Sequence, residues 1–206
     1  MGKRRFRNNS RLFKMSEQLK LFNVDTEVYR VQSKSGAVPF VDEVEEFNST
    51  FNKPNNYEPT IPKEKKEWQF VYDFVLEELE EYRQACENGD IVEILDALCD
   101  ITYVSLGNGV MLHGLKDKIW PAYQEVQASN MSKSCSTEEE AMETVTLRSK
   151  EQAEPCHYEK VEERFVVYRT RDRKVMKSIN YFRPDLHQFF TADEIAKTRP
   201  QQHLGI

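Results

Sequence analysis

Apolar residues return at three- and four-residue intervals in some stretches of the chain and not in others, and this sorts it into helices and connections. Val41, Val44, Phe47 and Phe51 predict a first helix from about Pro39 to Phe51. The stretch NKPNNYEPTIPKE that follows is rich in proline, has no period and predicts a loop. A second helix is expected from about Glu64 to Glu87, ended by Asn88-Gly89, a pair suited to a left-handed terminus. Asp90 can cap a third helix reaching about His113, with Gly114 closing it. A fourth, Lys116 to about Ser129, places Ile119, Trp120, Tyr123 and Val126 on one side, and Pro121 belongs in its first turn or kinks it. Beyond Ser129-Asn130-Met131-Ser132-Lys133 the character becomes polar. Ser136 with Glu139 reads as a capping box for a helix to about Lys150. FVVYRTRDRKVMKSINYF reads as two strands around a turn at Arg171 to Lys174, and Thr191 caps a short last helix. The fold class expected is mainly α, a helical bundle with a small C-terminal β-hairpin appendage.

Several acids disturb this pattern. In the second helix Val71, Phe74 and Ala85 form one stripe, and Glu78 and Glu81 continue it toward the core. Glu77, four residues before Glu81, flanks the same face. The third helix is apolar around nearly its whole circumference, which predicts burial on most sides. Its interior acids, Glu93, Asp96 and Asp100, fall on one line. A buried unpaired carboxylate costs several kcal/mol or becomes neutral. Two helices that aim acids at a common interior therefore call for a cation. Oxygen ligands without nearby His or Cys favour Mg²⁺, with Mn²⁺ as the other option. Blander readings stand beside this one. EELEE can be a solvated face, Glu93 the capping partner of Asp90, and Asp96 and Asp100 the partners of a Lys or Arg.

Composition narrows the classes. With 39% hydrophobic and 31% charged residues the chain reads as a soluble globular protein, and a net charge of −6 argues against general attraction to nucleic acid. No apolar run is long enough for a bilayer, so no membrane partner is expected. Cys86, Cys99, Cys135 and Cys156 form no CxxC pair and read as reduced thiols of a cytoplasmic protein. Residues 1–14 are basic and read as a dispensable extension before Met15, or as a nucleic-acid arm or targeting segment.

The acids carry a likeness. Glu77-Glu78-x-x-Glu81, a spacer and Glu93-x-x-Asp96 resemble the EExxE…ExxD signature of MazG-like pyrophosphohydrolases, whose relatives include dimeric dUTPases and phosphoribosyl-ATP pyrophosphohydrolases. The likeness covers about residues 37–134 and includes SNMSK. It implies a MazG-like helical bundle that converts a nucleoside or deoxynucleoside triphosphate to the monophosphate and pyrophosphate, assembled as a homodimer or homotetramer. By position it implies Glu78, Glu81, Glu93 and Asp96 as metal ligands, with Glu77 or Glu78 as the base toward water. Asn130 and Lys133 match a segment that touches phosphate, although both also suit a helix end. Asn48 and Asn52, a turn apart, are read as base-edge contacts or as ordinary surface polarity. The alternatives to triphosphate hydrolysis are phosphoribosyl-ATP hydrolysis and a binding module without turnover. The expected organisation is a basic tail at 1–34, a catalytic core at 35–134, and an accessory helix, hairpin and short helix at 135–206.

Overall fold

The computed structural model describes residues 39–198, so the expectations for the basic N-terminal tail lie outside the described residues. The described chain is mainly helical. It runs through α1 (Pro39–Thr50), α2 (Lys65–Asn88), α3 (Ile91–Thr102), a π-helical segment (Tyr103–Gly109), α4 (Val110–His113) and α5 (Lys116–Met131). Then come α6 (Glu138–Gln152), β1 (Cys156–Val161), β2 (Arg164–Arg169), a 3₁₀ turn at His187–Phe189 and α7 (Ala192–Thr198). Among the described residues no helix is long and apolar enough to cross a membrane.

Local signals place the central pair of helices. Glu64 caps α2 reciprocally with Glu67, each side chain bonding the other's backbone N–H. Gly89 ends the helix at φ 67°, and the Asp90 side chain accepts from the N–H groups of Val92 and Glu93 to start α3. So short a connection folds α3 back antiparallel along α2. The long helix expected to His113 is interrupted by the π-helical segment, and the chain emerges as α4 before Gly114 turns it at φ 64°.

The π segment brings Gly107 against α1. A Cβ on Gly107 would lie 2.1 Å from Val44 Cγ2, so only glycine permits this approach. Val41, Val110 and Met111 form the adjoining core with Leu115 and Ile119 against them. The proline-rich loop is pinned to the same place. Asn56 donates to the Met111 carbonyl at 3.0 Å and, from its side chain, to the Leu112 carbonyl at 2.7 Å, while Thr60 N–H donates to the His113 carbonyl at 3.0 Å. His113 Nδ1 lies 3.0 Å from the Thr60 carbonyl, so this histidine braces a helix end, as expected.

Three expectations need correction. In the single chain α3 is not buried on most sides: Ile91 is 73%, Val92 68% and Leu95 63% exposed, and only Ala97 and Asp100 are buried. The hairpin also lies one strand earlier than expected. β1, CHYEKV, pairs antiparallel with β2, Cys156 opposite Arg169 and Val161 opposite Arg164. The turn is Glu162-Glu163, with Glu162 at φ 53°. The anticipated second strand contributes only a single bridge, Tyr168 to Val175. Finally, the α6 cap is Thr137, whose side chain accepts from Glu140 N–H, while Glu140 reaches back to Ser136 N–H. Thr191 caps α7 as expected, in a reciprocal arrangement with Glu194.

Residues beyond α5 have their own small core of Cys135, Ala141, Val167 and Met176, with Val145, Cys156, Tyr158 and Phe165 against it. This module returns to α5 at the chain's end, where Lys118 donates to the Phe189 carbonyl at 2.7 Å and pairs with Glu194 at 3.0 Å.

Candidate functional site

Antiparallel packing of α2 on α3 makes Glu78 the centre of a carboxylate cluster. Glu78 is 9% exposed, and its Oε2 is buried without a hydrogen-bond partner. Burial, followed by the charges of Asp100, Glu81, Glu77 and Asp96, pushes its pKa up to about 7. Asp100, 6% exposed on α3, is pushed up to about 6 by burial and then by Asp96 and Glu81. Glu81 is raised by burial and by Glu77, Asp96 and Glu93. Every charge that acts on Glu81 and Asp100 is another carboxylate. The two helices thus bring together all five acids of the motif, Glu77, Glu78, Glu81, Glu93 and Asp96, in one field of a single sign. Glu93, Asp96 and Glu77 are at its exposed rim.

The structure separates this group from its neighbour Glu80. Arg83 binds Glu80 at 2.5 Å and also pairs with Glu87, and it holds the Glu80 carboxyl down at about 2. EELEE therefore has two faces, one solvated and salt-bridged, the other turned onto α3. Asp100 stands on the line of interior acids read from the sequence but not among the ligands that the resemblance implies; its burial beside Glu78 makes it part of the cluster.

The donor chemistry fits a hard divalent cation. The cluster offers only carboxylate oxygens, one of them an orphaned buried atom, and among the described residues no Lys or Arg is among the charges acting on Glu78, Glu81 or Asp100. Among the described residues no three of these side chains stand in a finished metal-holding arrangement.

A pocket of about 420 Å³ opens in the groove beside the acids, lined by Asn48, Lys53, Phe70, Val71, Asn108 and Leu112 among others. Val71 precedes Glu78 by seven residues and Asn108 follows Asp100 by eight, so the pocket lies about 10 Å along the helix axes from the cluster. Asn48 is buried and held by its Nδ2, which donates to Asn55 Oδ1 at 2.9 Å; among the described residues no hydrogen bond engages its Oδ1. Asn52 is different: it is exposed at φ 52°, where it ends α1, and it does not line the pocket. Asn108 had no role in the sequence reading, because its place depends on the π segment.

Asn130 and Lys133 bond to each other, Lys133 Nζ donating to Asn130 Oδ1 at 2.8 Å. They sit at the end of α5, and neither is among the groups acting on the acids. Glu154 and His157 take separate partners: Glu154 pairs with Arg171 at 2.8 Å, and His157 Nδ1 lies 3.0 Å from Thr170 Oγ1.

Compared with known proteins, residues 44–130 match the model of the phosphoribosyl-ATP pyrophosphohydrolase family. The match begins in α1, takes in both acid helices and stops within SNMSK. No curated protein matches the chain.

Proposed function

We propose, from the premise that residues 44–130 carry a core of the phosphoribosyl-ATP pyrophosphohydrolase kind, that the protein hydrolyses a nucleoside or deoxynucleoside triphosphate to the monophosphate and pyrophosphate. The family match supports a pyrophosphohydrolase acting on acid anhydrides. The observation that carries the finer reading is the uncompensated Glu78–Asp100 cluster lying one groove-length from a pocket with a fixed amide.

Mg²⁺, or Mn²⁺, is the cofactor we assign, with Glu78, Glu81, Glu93 and Asp96 as its ligands and Asp100 beside them; bound there, it supplies positive charge to the phosphate oxygens. The chain's own residues do the rest. Phe70 and Val71 offer apolar surface to a base, and the Asn48 amide presents an acceptor to its edge. Glu77, at the exposed rim, takes the proton of the attacking water on a carboxylate oxygen. The new P–O bond forms as the anhydride P–O bond breaks, and pyrophosphate leaves with the bonding electrons.

The bare apolar side of α3, with Leu76 and Leu79 also exposed on α2, supports assembly with a second copy as a homodimer or a dimer of dimers. The free thiols, Cys86 and Cys99 among them exposed, suit a reducing cytoplasm.

The test is pyrophosphate release from a panel of NTPs, dNTPs and phosphoribosyl-ATP, with and without Mg²⁺. Mg²⁺-dependent release from one triphosphate class is expected. Release from phosphoribosyl-ATP alone, the substrate in the matching family's name, would replace the triphosphate reading. Binding without release from any of them would leave a nucleotide-binding module and overturn the enzyme reading.

A further inference from the structure

SNMSK is the point where the family match ends and the C-terminal module begins, and the module holds it from several sides. Ser129 Oγ donates to the Phe182 carbonyl at 2.9 Å, and Phe182 N–H donates to Ser132 Oγ at 3.3 Å. Ser178 N–H donates to the Lys133 carbonyl at 3.1 Å. Arg164 Nε donates to Ser134 Oγ at 2.5 Å. The clamp is itself braced: Arg148 donates to the Lys177 carbonyl at 2.7 Å and the Ser178 carbonyl at 3.2 Å, and the buried Ser178 hydroxyl bonds Glu140.

This bracing sets three functional groups together. Tyr181 N–H donates to the Ser178 carbonyl at 3.1 Å, and Ser129, Lys177 and Lys133 are the groups that act on its phenol. Lys177 Nζ lies 4.3 Å from the centre of the Tyr181 ring. The Ser129 contact, then the two lysines, hold the phenol below its ordinary pKa. Neither ammonium group has a carboxylate ion-pair partner among the described residues; Lys133 is bonded only to the neutral Asn130 amide. Two ammonium groups without a carboxylate partner and a phenol O–H on one braced turn are the donor chemistry of a phosphate site.

We propose that Lys177 and Tyr181 of the C-terminal module complete, with Lys133, a phosphate-binding site that the family-matching segment alone does not contain. Its ligand is a phosphate group of a polyphosphate. The reading of the protein as a triphosphate hydrolase is needed only to say whose phosphate it is.

The experiment titrates the full chain with inorganic pyrophosphate by calorimetry in chelator, where the metal-free acids repel the probe. Lys177→Ala and Tyr181→Phe are each expected to weaken binding roughly tenfold, the scale of one charge-assisted hydrogen bond, and Lys150→Ala on α6 to leave it unchanged. Pyrophosphate should also raise the titration midpoint of the Tyr181 phenol, read by ultraviolet difference absorbance and lost in Tyr181→Phe. Should Lys177→Ala and Tyr181→Phe both melt like the parent and bind pyrophosphate equally well, the site does not exist. Pyrophosphate binding that disappears in these variants while no triphosphate is hydrolysed would keep the site and discard the proposed reaction; hydrolysis with unchanged pyrophosphate binding would do the reverse.

Discussion

Replacing Glu78 by Gln removes the most strained charge in the protein without changing side-chain size. The folded chain holds this carboxyl at about 7 against an ordinary 4.5, mainly through burial and then through Asp100 and Glu81. A group raised on folding stabilises fully below its unfolded pKa, and that contribution is lost as pH rises through the folded one. The window is therefore about pH 4.5 to 7, and above it the ionised Glu78 costs about 3 kcal/mol, at 1.36 kcal/mol for each pKa unit. The buried glutamine amide lacks a partner and returns about 1 kcal/mol of this. Metal-free Glu78→Gln at pH 8 should thus be about 2 kcal/mol more stable than the parent, raising Tm by about 4–8 °C for a chain of this size. At pH 3.5, where Glu78 is neutral in both states, this advantage should be gone and the variant should melt about 2–4 °C below the parent, from its unpartnered amide alone. With millimolar Mg²⁺ the parent should overtake the variant, since a bound ion stabilises only the chain that keeps its ligand. Thermal melts at two pH values, in chelator and in Mg²⁺, read all four states. A variant less stable than the parent at pH 8 in chelator would refute the reasoning, because Glu78 would then have a stabilising partner.

Glu93→Gln and Asp96→Asn should each lower pyrophosphate release by about 10²-fold or more while circular dichroism stays unchanged, as loss of a metal ligand requires. Gly107→Ala should cost about 1–3 kcal/mol in urea melts, because its methyl group meets Val44 at 2.1 Å; an unchanged midpoint would show that α1 yields freely. Leu95→Glu, on the bare side of α3, should shift light-scattering mass from an assembly to a single chain, and a parent already monomeric at micromolar concentration would count against self-association. Deleting residues 135–206 should lower Tm by several degrees, since it removes the clamp on Ser129 and Ser132, whereas deleting 1–14 should leave pyrophosphate release unaltered.

Much of the helical core was legible because its signals are local. Asp90, Gly89 and Gly114 act within one turn of where they stand, and the Glu78–Glu81 stripe follows from the helical repeat alone. Periodicity does not report the company a helix keeps. The apolar sides of α3 imply a covered rod, yet Ile91, Val92 and Leu95 are exposed in the single chain, and greasiness alone does not say what covers them. The hairpin was misplaced for a related reason. Val175 to Tyr181 alternates as a strand should, but only its start meets β2, where Met176 N–H donates to the Val167 carbonyl; Ser178 and Ile179 N–H turn instead to the Lys133 carbonyl and the Thr144 hydroxyl, and CHYEKV takes the partner's place in the ladder. Asn108 escaped notice because a π turn changes which residues share a face, and no residue type announces one.

That π turn also bears on inheritance. A seven-residue π segment lies between the acids of α3 and the pocket wall at Asn108. A π turn holds one residue more than an α turn, so it can absorb a single inserted residue while the helix on either side keeps its face. The carboxylates of α3 then stay in register with α2, and only side chains within the turn, those at the pocket wall, change places. A lineage carrying this turn thus has a spot where one codon gained or lost is tolerated by the helix and felt only at the pocket.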